Sequence, residues 1–112
     1  MLKINEDNKL NITDAINTVR QELIDEGGML YKIALNKGID ENAVDKLMEA
    51  LNFLVLHYKD AESIPKKLAA AFIDITPLFE RSISMYSETD QERIEDIRND
   101  IVSLAEDIFF DG

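Results

Sequence analysis

The sequence predicts an all-α protein, and three observations carry that expectation. Apolar residues recur at helical spacing over most of the chain, capping residues stand where those stretches begin, and no alternating strand pattern extends past the first dozen residues. With 112 residues, 46% of them hydrophobic and 31% charged, the chain can bury a core without disulfides or metal. It contains no internal repeat and no Pro/Gly/Ser-rich linker, so residues 1–112 read as one helical domain.

Residues 1–11 fit either a coil or a small hairpin, with Leu2, Ile4, Leu10 and Ile12 around the NEDN stretch. Ile12, Ile16, Val19, Leu23 and Ile24 then share one helix face, with Asn11 or Thr13 as the cap. Gly27-Gly28 is expected to stop this helix through the left-handed conformation that glycine takes at helix ends. A short helix fits MLYKIALNK and ends at Gly38. Asp40 caps the next helix, which runs to about Lys59 on a stripe that includes Val44, Leu47, Leu51 and Leu54. Ala50 and Phe53 widen that stripe, and a helix apolar over so much of its circumference is expected to be central.

Pro65 suits the first turn of the following helix. There Leu68, Phe72, Ile75, Phe79, Ile83 and Tyr86 keep one face straight through Pro77, so the sequence predicts a single helix bent at Pro77, with the proline toward solvent. A new helix capped by Thr76 is the alternative, because the residue before proline resists helical geometry. Thr89 and Glu92 form a capping-box pattern for the last helix, whose stripe is Ile94, Ile97, Ile101, Leu104 and Ile108. The expected architecture is a largely antiparallel helical bundle of four main helices plus one short helix.

Composition narrows the function. A net charge of -11 and a pI of about 4.4 oppose direct binding to nucleic-acid phosphates, which takes clustered Lys and Arg. The opening residues lack the basic-then-apolar order of a signal peptide, and LNFLVL is too short to span a bilayer, so a cytoplasmic protein with no membrane contact is expected. The absence of cysteine excludes thiol chemistry and Cys-based zinc sites. One histidine rules out the paired Glu-x-x-His ligands of a di-iron bundle, and neither NEDNKL nor DENAVDKL supplies the glycine of a calcium loop. His57 has only Asp60 one turn on and Phe53 one turn back, which suits a packed histidine at a helix end. No catalytic, cofactor-binding or metal residue is assigned, and no cofactor is expected.

Two surface features remain. Glu88 to Gly112 holds nine acids against Arg93 and Arg98, which is -7 of the -11, and Glu92, Asp96 and Asp100 repeat every four residues. Such a strip either solvates the protein or docks a basic partner. Ala71, Leu78 and Met85 recur at seven-residue spacing off the main stripe, while Leu56 and Phe110 also fall outside their helices' core faces. Glu92, Asp96, Asp100, Ala71, Leu78, Met85 and Phe110 are therefore the candidate partner-binding residues.

In size, acidity and helicity the chain is similar to the small helical immunity, antitoxin and regulator proteins of bacteria, a likeness of format that no motif carries. The expected function is that of a small acidic, non-catalytic helical protein that binds a protein partner, of regulator, immunity or adaptor type, with a basic partner surface as the complementary form and self-association left open. The alternatives are a nucleic-acid-mimicking inhibitor of a DNA-binding protein and, last, a metal-binding or carboxylate-based enzyme.

Overall fold

Helix α1 (Ile12–Leu23) forms on the first apolar stripe in a computed structural model of the protein, which describes residues 11–110. The hairpin-or-coil expectation for the first residues lies outside the described part. Asn11, and not Thr13, caps α1: its side-chain oxygen accepts the backbone N–H of Asp14 at 2.8 Å.

Gly27 and Gly28 do not stop α1 in the expected way. The helix ends at Leu23, and Gly28, at φ -79°, is instead the N-cap of α2 (Met29–Ala34). A glycine offers no side chain to the exposed donors at a helix start. Glu22, 8% exposed at the end of α1, supplies the cap: its Oε1 accepts the N–H of Met29 at 2.9 Å. The left-handed positions come after α2, at Asn36 (φ 59°) and Gly38 (φ 101°).

Helix α3 (Glu41–His57) starts where Asp40 accepts the N–H of Ala43 at 3.1 Å, and Lys32 donates to the other carboxylate oxygen at 3.0 Å. The Lys32 hydrogen bond and then that of Ala43 hold the Asp40 carboxyl below its ordinary value. As expected of a central element, α3 buries Val44, Leu47, Ala50, Leu51 and Leu54 and packs against both α1 and the last helix, α6 (Glu88–Phe109).

The single helix bent at Pro77 is corrected by the structure. Residues 66–86 form α4 (Lys66–Ala70), a turn over 71–74, α5 (Ile75–Glu80) and a 3-10 turn (Ile83–Met85). The N–H groups of Ala71, Phe72 and Ile73 donate to carbonyls three residues back, so the splice is wound tighter than an α-helix. Three-residue and four-residue steps keep side chains on the same side, which is why Leu68, Ile75 and Phe79 are all buried although the helix is broken.

Pro77 lies exposed in the first turn of α5, where its missing N–H has no partner to lose. Because Ile73 falls in the turn, the continuous helix in which its carbonyl would collide with the proline ring is not formed here. Pro77→Ala is therefore expected to change stability by less than about 0.5 kcal/mol, as for other surface substitutions away from special features. A urea midpoint shift equivalent to about 2 kcal/mol would contradict this.

Helix α6 is capped two residues before the expected Thr89. Ser87 is its cap, with Oγ accepting the N–H of Asp90 at 3.1 Å. Its core face is the expected one, with Ile94, Ile97, Ile101 and Ile108 buried.

Side-chain contacts fix the helix directions. Arg93 of α6 meets Glu41 of α3, and further along Asp100 and Leu104 face Met48 and Asn52, so these two helices run in the same direction. The antiparallel expectation does not hold for this pair. Across α6 from α3, Phe72 meets Phe109, and Gln91 bonds the carbonyl of Tyr86, so the α4–α5 segment runs opposite to α6. This returning segment is tied to α2 by two polar contacts. Ser82 Oγ donates to the carbonyl of Ala34 at 2.6 Å, and the Tyr86 hydroxyl donates to the carbonyl of Ile33 at 2.9 Å while accepting the N–H of Gly38 at 3.2 Å.

Candidate functional site

The acidic strip is where the sequence places it. Glu92, Asp96 and Asp100 are exposed along α6, one turn apart. Arg93 stands beside them and offsets part of their repulsion, but its fork is committed elsewhere: Nε donates to Glu41 Oε2 at 3.0 Å and Nη2 to Oε1 at 2.7 Å. This bond lowers the Glu41 carboxyl below its ordinary value and raises the Arg93 guanidinium, with Asp96 and Asp100 adding to the latter through charge. With side-chain exposures of 38% and 54%, the pair contributes about 0.2–1 kcal/mol.

The sign follows from Glu41. A carboxylate whose folded value is depressed stabilises the fold above its ordinary value of 4.5, and that contribution is lost as pH falls through the folded value. Glu41→Gln is expected to lower stability slightly at pH 7 and to flatten the decline below about pH 4.5. Urea midpoints from pH 7 to pH 3 test this, and parallel wild-type and variant curves would contradict it.

The apolar candidates separate. Ala71 is 3% exposed and Leu78 half-buried; both line a recess of about 100 Å³ with Leu23, Ile24 and Tyr31, so the chain itself covers Ala71. Met85 is 68% exposed on the 3-10 turn and does not continue that flank as one surface. Leu56, off its helix's core face as expected, is 76% exposed. His57 is exposed and stacks against Phe53 with ring centroids 6.3 Å apart. Among the described residues, no group of three or more His, Asp or Glu side chains is placed to hold a metal ion, and no helix is long and apolar enough to cross a membrane.

Phe110 is the candidate that joins a built feature. It follows the last residue of α6, is 76% exposed, and lies at the edge of an open groove of about 300 Å³ between the α4–α5 segment and α6. Phe72, Ile75 and Thr76 form one wall, and Val102 and Phe109 lead to Phe110 on the other. Phe72 and Phe109 meet edge to face at 5.6 Å and join the two walls. Ile73, next to Phe72 in the turn, is 75% exposed. By spacing, Phe72 and Ile75 fall on a core stripe and Val102 on none, since spacing along one helix does not reveal where a neighbouring helix stops short of covering it. Compared with family models, curated proteins and solved structures, the chain matches none of them.

Proposed function

We propose that the protein is a small acidic, non-catalytic binding module for a protein partner, of regulator, immunity or adaptor type. In this reading it acts in the cytoplasm as a single domain whose helices form a largely antiparallel bundle apart from the parallel α3–α6 pair. The observation that carries the reading is the groove, where aromatic surface stays open to solvent beside the exposed Phe110 and Ile73. Aromatic side chains are enriched where proteins associate, which suits this groove to a partner. The acids of α6 would accelerate encounter with a basic partner and exclude acidic ones.

The test immobilises the full chain and a Phe110→Asp variant, exposes both to lysate of the native cell, and identifies retained proteins by mass spectrometry. The reading expects a protein held by the wild type and lost from the variant; identical retained sets would count against it. A nucleic-acid mimic is the second reading, favoured by the line of exposed carboxylates at Glu92, Asp96 and Asp100. It requires that duplex DNA compete the retained partner away, whereas the leading reading requires that it does not.

A further inference from the structure

We infer that the groove between the α4–α5 segment and α6 receives the apolar face of a basic amphipathic helix from a partner protein, an inference that rests on the protein-binding reading. Three observations choose this occupant. From Val102 to Phe109 the groove follows α6 for two turns, about 10 Å, which matches the anchors at i, i+3 or i+4 and i+7 of a docked helix. One wall is the helix α6 and the other a turn leading into α5, so neither is a strand edge and they offer an incoming segment no ladder to extend. A segment placed there must satisfy its own backbone, and a helix does so. The lining supplies Thr76 and Glu106 as its polar side chains, too few convergent groups to orient a polar small molecule.

Charge decides the flanks. Glu106 lines the groove, Glu80 lies one turn beyond Thr76, and Glu95 lies two turns before Val102 on the same face of α6. Against these three carboxylates stands Arg98, one turn before Val102. The rim is net negative on a chain of charge -11, so Lys and Arg beside the incoming apolar stripe are attracted and Asp and Glu repelled. A second copy would bring the same carboxylates against themselves. The chain's first residues carry Lys3 and Lys9 against Glu6 and Asp7, and Leu2, Ile4 and Leu10 do not have helical anchor spacing, so they do not fit this description.

The probe is a dye-labelled synthetic peptide of about eighteen residues, five turns, with Leu at anchor spacing and Lys flanks, beside a peptide in which every Lys is Glu. Binding to the full chain is read by fluorescence anisotropy and located by amide chemical shifts. The expected result is saturable binding of the Lys peptide, with shifts at Phe72, Val102 and Phe109. The affinity should fall roughly tenfold or more for the Glu peptide and for Thr76→Arg, which places bulk and positive charge at an exposed position. It should change little in an Asp45→Asn/Glu49→Gln variant, whose exposed acids lie on α3 and outside the groove lining.

Shifts confined to the acidic strip, binding that survives Thr76→Arg, or no saturable binding would each overturn the inference. A dimer in sedimentation that Thr76→Arg abolishes would assign the groove to a second copy. Tighter peptide binding in Leu2→Ser/Ile4→Ser would assign it to the chain's own first residues, and either result overturns the basic helix. If the peptide fails while lysate still yields a Phe110-dependent partner, the helix is wrong and the protein-binding reading stands. If both fail, that reading falls too.

Discussion

Phe79→Ala is expected to lower stability by about 3–5 kcal/mol, the range for truncating a buried phenylalanine. Phe79 is 1% exposed and among the largest fully buried side chains of the core. It sits on α5, a helix of six residues whose N-cap makes no side-chain hydrogen bond. So short a helix does not persist on its own and is held by what it packs against, here α2 and α6. The same helix carries Ile75 and Thr76 of the groove wall, so the variant should also weaken binding in the groove. Phe79→Leu keeps most of the volume and should lose far less, under about 1.5 kcal/mol where the site repacks. Urea denaturation compares the two; a loss below about 1 kcal/mol for the alanine variant would show that α5 does not depend on this anchor.

Gly28→Ala is the second large effect, expected at about 2–3 kcal/mol, the upper part of the overpacking range. Its φ of -79° suits any residue, so conformational preference is not the cause. The cause is proximity: a Cβ here would collide with the backbone carbonyl oxygen of Gln21 and crowd the backbone of Glu22. Backbone cannot yield as a flexible side-chain tip can. Separating the two segments would also stretch the bond from the Met29 N–H to the buried Glu22 carboxylate, leaving both poorly satisfied. Gly27→Ala is the control, since its Cβ would meet nothing within 4 Å. Thermal melts of both variants decide the matter, and equal midpoints would remove close approach as the role of Gly28.

These two sites mark where the sequence was legible. Stripe residues such as Phe79, Leu51 and Ile97 are buried as their spacing predicts, because helical periodicity reports directly on which face a helix hides. Caps were legible to within a residue or two: Asn11 and Asp40 hold, while Ser87 displaces Thr89 because both offer an oxygen ahead of the same stripe. The break before Pro77 was legible only as the alternative of a new helix capped by Thr76, since turns of three and four residues hide the same face; that helix instead begins at Ile75, after Asp74. The role of Gly28 was not legible, since it depends on where α1 and α2 meet in space. Of the groove, only Phe110 stood out, being apolar and off its stripe. Its other aromatic residues lie on or near stripes that look like core until the neighbouring helices are positioned. Helix direction also escaped, because periodicity identifies a face and not which way its partner runs.

The parallel pairing of α3 with α6 has a temporal consequence. Glu41 waits for Arg93 across 52 positions, Ile33 for Tyr86 across 53, and Lys67 answers Arg20 across 47. Each contact closes a long loop, unlike the neighbour-to-neighbour contacts that let simple helical bundles fold fastest. On a ribosome adding about 5–20 residues per second, the side of α3 that α6 covers stays bare for roughly 3–10 s after it has been made. During that interval the nascent chain exposes apolar surface that the finished protein hides, and its vulnerability to aggregation is set by the rate of translation as well as by the stability of the fold.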